Sequence, residues 1–154
     1  MNAAQIHLML NHLPVIGALF ATVILAAGLL WRNALLQRLA LGTLVVVALA
    51  AIPVYLSGEP AEEIIEHAAG VEKSVVKTHE DMAQVALIAV EVIGLVALVA
   101  FVLYRRRAMA TSFAAVLLIA MFALSGTLAW TAHLGGQIRH PELRGAVAAA
   151  EVEH

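Results

Sequence analysis

Four long apolar runs dominate this chain, and they leave few folds open to it. They cover residues 13–30, 35–56, 82–104 and 108–134, each rich in Ala and Val and nearly free of charge. A bilayer core takes about 20 apolar residues in helical form. Strands of a membrane barrel alternate polar and apolar over about ten residues, and these runs do not alternate. With their flanks they predict spans over about 8–31, 35–56, 80–104 and 108–134, a connection over 57–79 and a tail over 135–154. Composition agrees: 62% of residues are hydrophobic and 13% charged, with mean hydropathy +0.92. A soluble domain averages roughly 45–50% apolar and about 25% charged. The expected fold is all-α. It is a single integral membrane four-helix bundle with a short extramembrane helix between spans two and three.

The connections carry opposite charge. Arg32 and Arg38 flank the first short turn, and Arg105, Arg106 and Arg107 form the second, with no acid in either. The connection over 57–79 and the start of span three hold Glu59, Glu62, Glu63, Glu66, Glu72, Glu80 and Asp81 against Lys73 and Lys77. The positive-inside rule makes the basic turns cytoplasmic and turns both termini outward. The chain is then expected to be a multi-pass protein of the cytoplasmic membrane. The first span follows no basic segment, so it reads as retained and not as a cleaved leader. Within the acidic connection, Gly58 reads as a helix stop and Pro60 as a first helical residue, giving a short helix over 60–69. Thr78 reads as the N-cap of span three, Pro53 predicts a kink in span two, and Pro14 a break near the start of span one.

Several chemistries are excluded. A net charge of −2 offers no basic face for nucleic acid. The absence of cysteine removes disulfides, thiolate metal sites, iron–sulfur clusters and covalent c-type haem. No phosphate-binding glycine loop, zinc-protease helix motif or nucleophile elbow is present.

The histidines are the informative residues. His7 and His12 open span one, His67 lies in the acidic connection, His79 opens span three, His133 ends span four, and His140 follows it. All fall at the outer end of the bundle; His154 is terminal. Imidazole ligates haem iron, zinc and copper. Haem b needs one or two axial histidines and an apolar slot, and a bundle presents ligands inward from facing helices. His12, His79 and His133 sit at span mouths and are the first candidates for inward ligands; His7, His140 and His67 follow. His7 and His12 are five residues apart, roughly 140° around a helix, so they face different ways. The cofactor expected is one or two haem b, with copper, zinc or iron as the alternative. Gly17, Ala18, Gly126 and Ala129 near these histidines leave room for a ring, or else serve helix packing. The plain alternative is that the histidines are polar residues at the water boundary.

Two carboxylate features accompany them. Glu63, Glu66 and His67 form a dense turn that reads either as an alternative metal site or as a solvated acidic face. Glu91 stands alone near the middle of span three. An ionisable group there suggests a proton relay or a quinone contact, or else a neutral carboxyl bonded to Ser125 or Thr43.

His7-Leu-Met-Leu-Asn-His12-Leu-Pro14 resembles the opening of small bacterial membrane proteins of the DUF2231 domain family. Leu134-Gly135-Gly136-Gln-Ile-Arg139-His140 is similar to that family's closing segment. His79 stands where the family tends to carry a histidine, whereas Leu8, Leu13 and Pro141 replace its usual Pro, Phe and Gly. The resemblance implies a four-helix fold and points to His7, His12, His79 and His140. The residues together lead to the expectation of a b-type cytochrome-like membrane subunit. It would transfer electrons near the outer face, alongside lipid and other membrane or periplasmic redox subunits. The alternatives are a non-haem metal-binding membrane protein and a cofactor-free structural or assembly subunit.

Overall fold

A computed structural model describes residues 2–65, 71–140, 142 and 144. The chain is all-helical, and no strand occurs among the described residues. The helices are α1 (Ala3–Leu10), α2 (His12–Leu30), α3 (Ala34–Leu56), α4 (Gly58–Ile65), α5 (Lys73–Leu103) and α6 (Thr111–Arg139). Four stretches, Ala3–Leu30, Ala34–Ile65, Lys73–Leu103 and Thr111–Arg139, are long and apolar enough to cross a membrane. α2 packs on α3 and α6, and α5 packs on the same two, so the four long helices form a closed ring; α1 and α4 lie together at one end.

Local chemistry explains most of the boundaries. Asn2 caps α1 by accepting from the Gln5 N–H, and the Gln5 side chain accepts from the Asn2 N–H in return. Pro14 has no N–H to give Leu10, so the helix breaks at Asn11 and restarts with Pro14 in the first turn of α2. α2 ends in a Schellman turn. The Asn33 N–H donates to Gly28 O at 2.9 Å and the Arg32 N–H to Leu29 O at 3.1 Å. Arg32 takes the left-handed conformation there (φ 50°), which costs a residue with a Cβ roughly 1–2 kcal/mol. Asn33 then caps α3 by accepting from the N–H groups of Leu35 and Leu36.

Three boundaries differ from the sequence expectation. α5 begins at Lys73, so Thr78 is not an N-cap; its hydroxyl donates to Ser74 O inside the helix. Val76 is buried and Lys77 pairs with Asp81 at 2.9 Å, both of which favour helix upstream of Thr78. Gly58 opens α4 where a stop was expected, only Ser57 separating it from α3. α6 runs five residues beyond 134, because Leu134 and Ile138, one turn apart, both pack inward.

The core is built on small residues. Ala18, Ala21, Ala40, Ala86, Ala97 and Ala114 are among the most buried, alongside Leu25, Leu41, Leu44, Met121 and Leu124. At Gly17 an added Cβ would lie 2.5 Å from Val47 Cγ2, and at Gly94 it would collide with the Ala48 methyl. These glycines let α2 and α5 approach α3 closely, the usual work of small residues between membrane helices. Only 28–33% of each span's most apolar window is buried, so most apolar surface faces outward. Trp31 (69% exposed) stands at the end that carries the arginines, and Trp130 (53%) near the end that carries the histidines. Aromatic residues at both boundaries suit a bilayer.

Gly94→Val should force α5 off α3 and lower stability in detergent by about 1–3 kcal/mol, the usual cost of overpacking. Gly126→Ala meets no atom within 4 Å and should leave the thermal unfolding midpoint unchanged. Paired melts followed by circular dichroism test both.

Candidate functional site

The histidine end is assembled from both halves of the chain. His7 on α1 faces the end of α3. Its Nδ1 lies 3.1 Å from Val54 O and 3.1 Å from Ser57 Oγ, and the Ser57 hydroxyl donates to the same carbonyl at 2.7 Å. A carbonyl only accepts, so the Nδ1–H donates and the lone pair is left on Nε2. His79 on α5 faces α6 and donates from Nδ1 to Thr131 O at 3.0 Å. Gly135 makes room for that ring: a Cβ there would lie 3.1 Å from His79 Cε1. Thr131 adds a long contact from its hydroxyl to Met82 O at 3.5 Å. Both imidazoles are half-buried, His7 against the end of α3 and His79 against α6.

The other histidines are placed differently. His12 and His133, expected to point inward, are exposed. The break at Asn11 turns His12 outward, where its Nδ1 donates to Leu8 O one turn back. His133 Nε2 accepts from the Gln137 amide at 3.0 Å, and its ring tilts against Trp130 at 5.3 Å. His140 is exposed and bonds Glu142 through Nδ1 at 2.9 Å. The Glu142 backbone N–H first, and His140 second, hold the Glu142 carboxyl below the usual carboxylate range. Glu63 is exposed, while Glu66 and His67 lie outside the described residues. Among the described residues, no three His, Asp or Glu side chains gather as a metal-binding group.

The donor chemistry of His7 and His79 matches what metal sites require. A ligating histidine usually donates its second ring N–H to a backbone carbonyl or carboxylate, which fixes the tautomer and orients the ring. Two imidazoles also match the axial needs of a b-type haem. The small residues near the two rings are closely packed. The small residue beside His79, Gly135, is filled by the imidazole itself, and Gly17 is filled by Val47. A groove at this end, lined by Ser74, Val75, Thr78, Leu134 and Gln137, holds only about 130 Å³, whereas pockets for cofactor-sized molecules run to roughly 300–1,000 Å³.

Sequence reasoning identified both rings but missed what holds them. Ser57 and Thr131 carried no signal as partners. Gly135 did, through the Leu-Gly-Gly segment, and the structure places it against His79. Glu91, midway along α5, has its Oε1 buried without a hydrogen-bond partner among the described residues. Ser125 does not serve it: that hydroxyl donates to Met121 O and meets Thr22 Oγ1 at 3.2 Å. Comparison with protein-family models, curated proteins and solved structures returns no match for this chain.

An unpartnered buried polar atom costs about 1–3 kcal/mol. Glu91→Leu should therefore raise the unfolding midpoint in detergent. An unchanged or lower midpoint would show that the carboxyl has a partner in the folded protein.

Proposed function

We propose that this chain is a four-span integral membrane protein that binds a transition-metal ion at its outer end through Nε2 of His7 and His79. The observation that carries this reading is the pair of Nδ1–H groups committed to main-chain carbonyls. Each leaves an oriented lone pair, and the two rings come from opposite halves of the bundle. Imidazole suits copper, zinc and iron. Copper(I) is the ion best served by two nitrogen donors, since it accepts two-coordinate geometry where zinc asks for four ligands. The arginine-bearing turns face the cytoplasm under the positive-inside rule, which puts the histidine end on the outer side of a bacterial cytoplasmic membrane. The protein's task is then metal handling or metal-based electron transfer at that face, with periplasmic or membrane redox proteins as its partners.

A b-type haem is the second reading. It is favoured by the donor count, because two imidazoles complete a haem iron but only half-fill a zinc site.

The full chain in detergent should bind one equivalent of copper(I) in competition with a chromophoric chelator. His7→Ala and His79→Ala should each weaken binding at least about tenfold, the scale of effect seen even for residues that only support a ligand. His12→Ala and His133→Ala should leave it unchanged. Copper binding indifferent to His7 and His79, or no binding at all, overturns the proposal. Stoichiometric porphyrin in the pyridine haemochrome spectrum of the purified protein replaces it with the haem reading.

A further inference from the structure

The opposite end of the bundle holds a second feature. A groove of about 350 Å³ lies between α5 and α6, lined by Val96, Val99, Ala100, Leu103, Tyr104 and Phe113 among others. Its walls are apolar. Tyr104 stacks on Phe113 with ring centroids 5.8 Å apart, closing the groove toward the basic turn. Arg107 reaches back over the Tyr104 ring, its guanidinium carbon 5.4 Å from the centroid, while its backbone N–H donates to Tyr104 O at 3.3 Å. Arg105, Arg106 and Arg107 are all exposed at this mouth. Arg38 comes to the same end from α3, over the Phe101 ring at 5.5 Å, with a buried Nε that has no hydrogen-bond partner. Apart from Glu91 at mid-helix, the acids among the described residues lie toward the histidine end.

We infer that this groove binds one acyl chain of an anionic phospholipid whose phosphate is held by the arginine turn. The predominantly apolar walls match a hydrocarbon chain. The guanidinium groups match a phosphate in geometry as well as charge. A basic cluster next to a membrane helix attracts anionic headgroups; here a groove of fixed shape lies directly beneath it, so the site reads chain and headgroup together. The inference rests on the membrane reading of the chain and is independent of metal binding.

The test uses the full chain in detergent, with dioleoylphosphatidylglycerol and dioleoylphosphatidylcholine as competing probes in native mass spectrometry. The anionic lipid should be retained at least about tenfold over the zwitterionic one, as several arginines near the headgroup predict. The triple variant R105Q/R106Q/R107Q should bring the two lipids to parity. Val99→Trp fills the groove from a half-exposed position and should remove adducts of both lipids while helicity stays unchanged; Leu103→Trp is the second filling variant, should the first reduce helicity. Equal retention of the two lipids by the unaltered chain overturns the inference. So does retention that ignores both groove-filling variants, which marks a diffuse charge effect. Flotation with phosphatidylcholine vesicles tests the membrane reading separately. A chain that floats but shows no headgroup preference sinks this inference alone.

Discussion

Close contact between helix backbones, made possible by Gly17, Gly94 and a run of buried alanines, is the constraint on which the rest of this bundle depends. Between apolar helices in a lipid environment, burying a leucine gains little over leaving it against a hydrocarbon tail. Stability then comes from packing density, and density requires backbones that can meet. α3 sits at the centre of this scheme: Val47 and Ala48, adjacent on α3, receive Gly17 of α2 and Gly94 of α5. The larger apolar side chains are left to face outward, as Leu30, Ile119 and Phe122 do.

That packing decides what the two ends are able to hold. At the histidine end, Gly135 accommodates an imidazole and no more, and the end of α3 offers a carbonyl for His7 to bind. Tight packing thus seats both rings against main-chain carbonyls. At the arginine end the wide turn between α5 and α6 leaves room between helices, and the space is apolar. One fold therefore carries two unlike surfaces, polar and compact at one end, greasy and cationic at the other.

Much of this was legible in the sequence. Length and hydropathy were enough for four spans, because an uncharged run of about 20 residues has few other uses. The polarity of the two ends followed from where arginine and histidine fall. Helix starts were harder to read. Thr78 looked like a cap because it precedes acids and an apolar run, yet Val76 and the Lys77–Asp81 pair extend α5 upstream of it. The orientation of the histidines was not legible at all. His12 and His133 sit at span mouths, as His79 does, and only the break at Asn11 and the pitch of α6 turn them outward. Ser57 and Thr131 escaped notice because a backbone carbonyl, the group each position contributes to or shares, leaves no mark in residue identity.

The Gln37 side chain has a mechanical consequence. Its amide donates to Gly28 O at 3.1 Å and accepts from the Met109 N–H at 2.9 Å, so one buried residue stitches the end of α2 to the approach of α6. The arginine end is pinned. At the histidine end, His7 bonds α3 within one helical hairpin and His79 bonds α6 within the other. Midway along the bundle the Thr22 hydroxyl meets Ser125 Oγ at 3.2 Å, a second polar tie between α2 and α6. Each imidazole is thus seated by its own hairpin, and the two hairpins are held in register by polar ties at Gln37 and at mid-bundle.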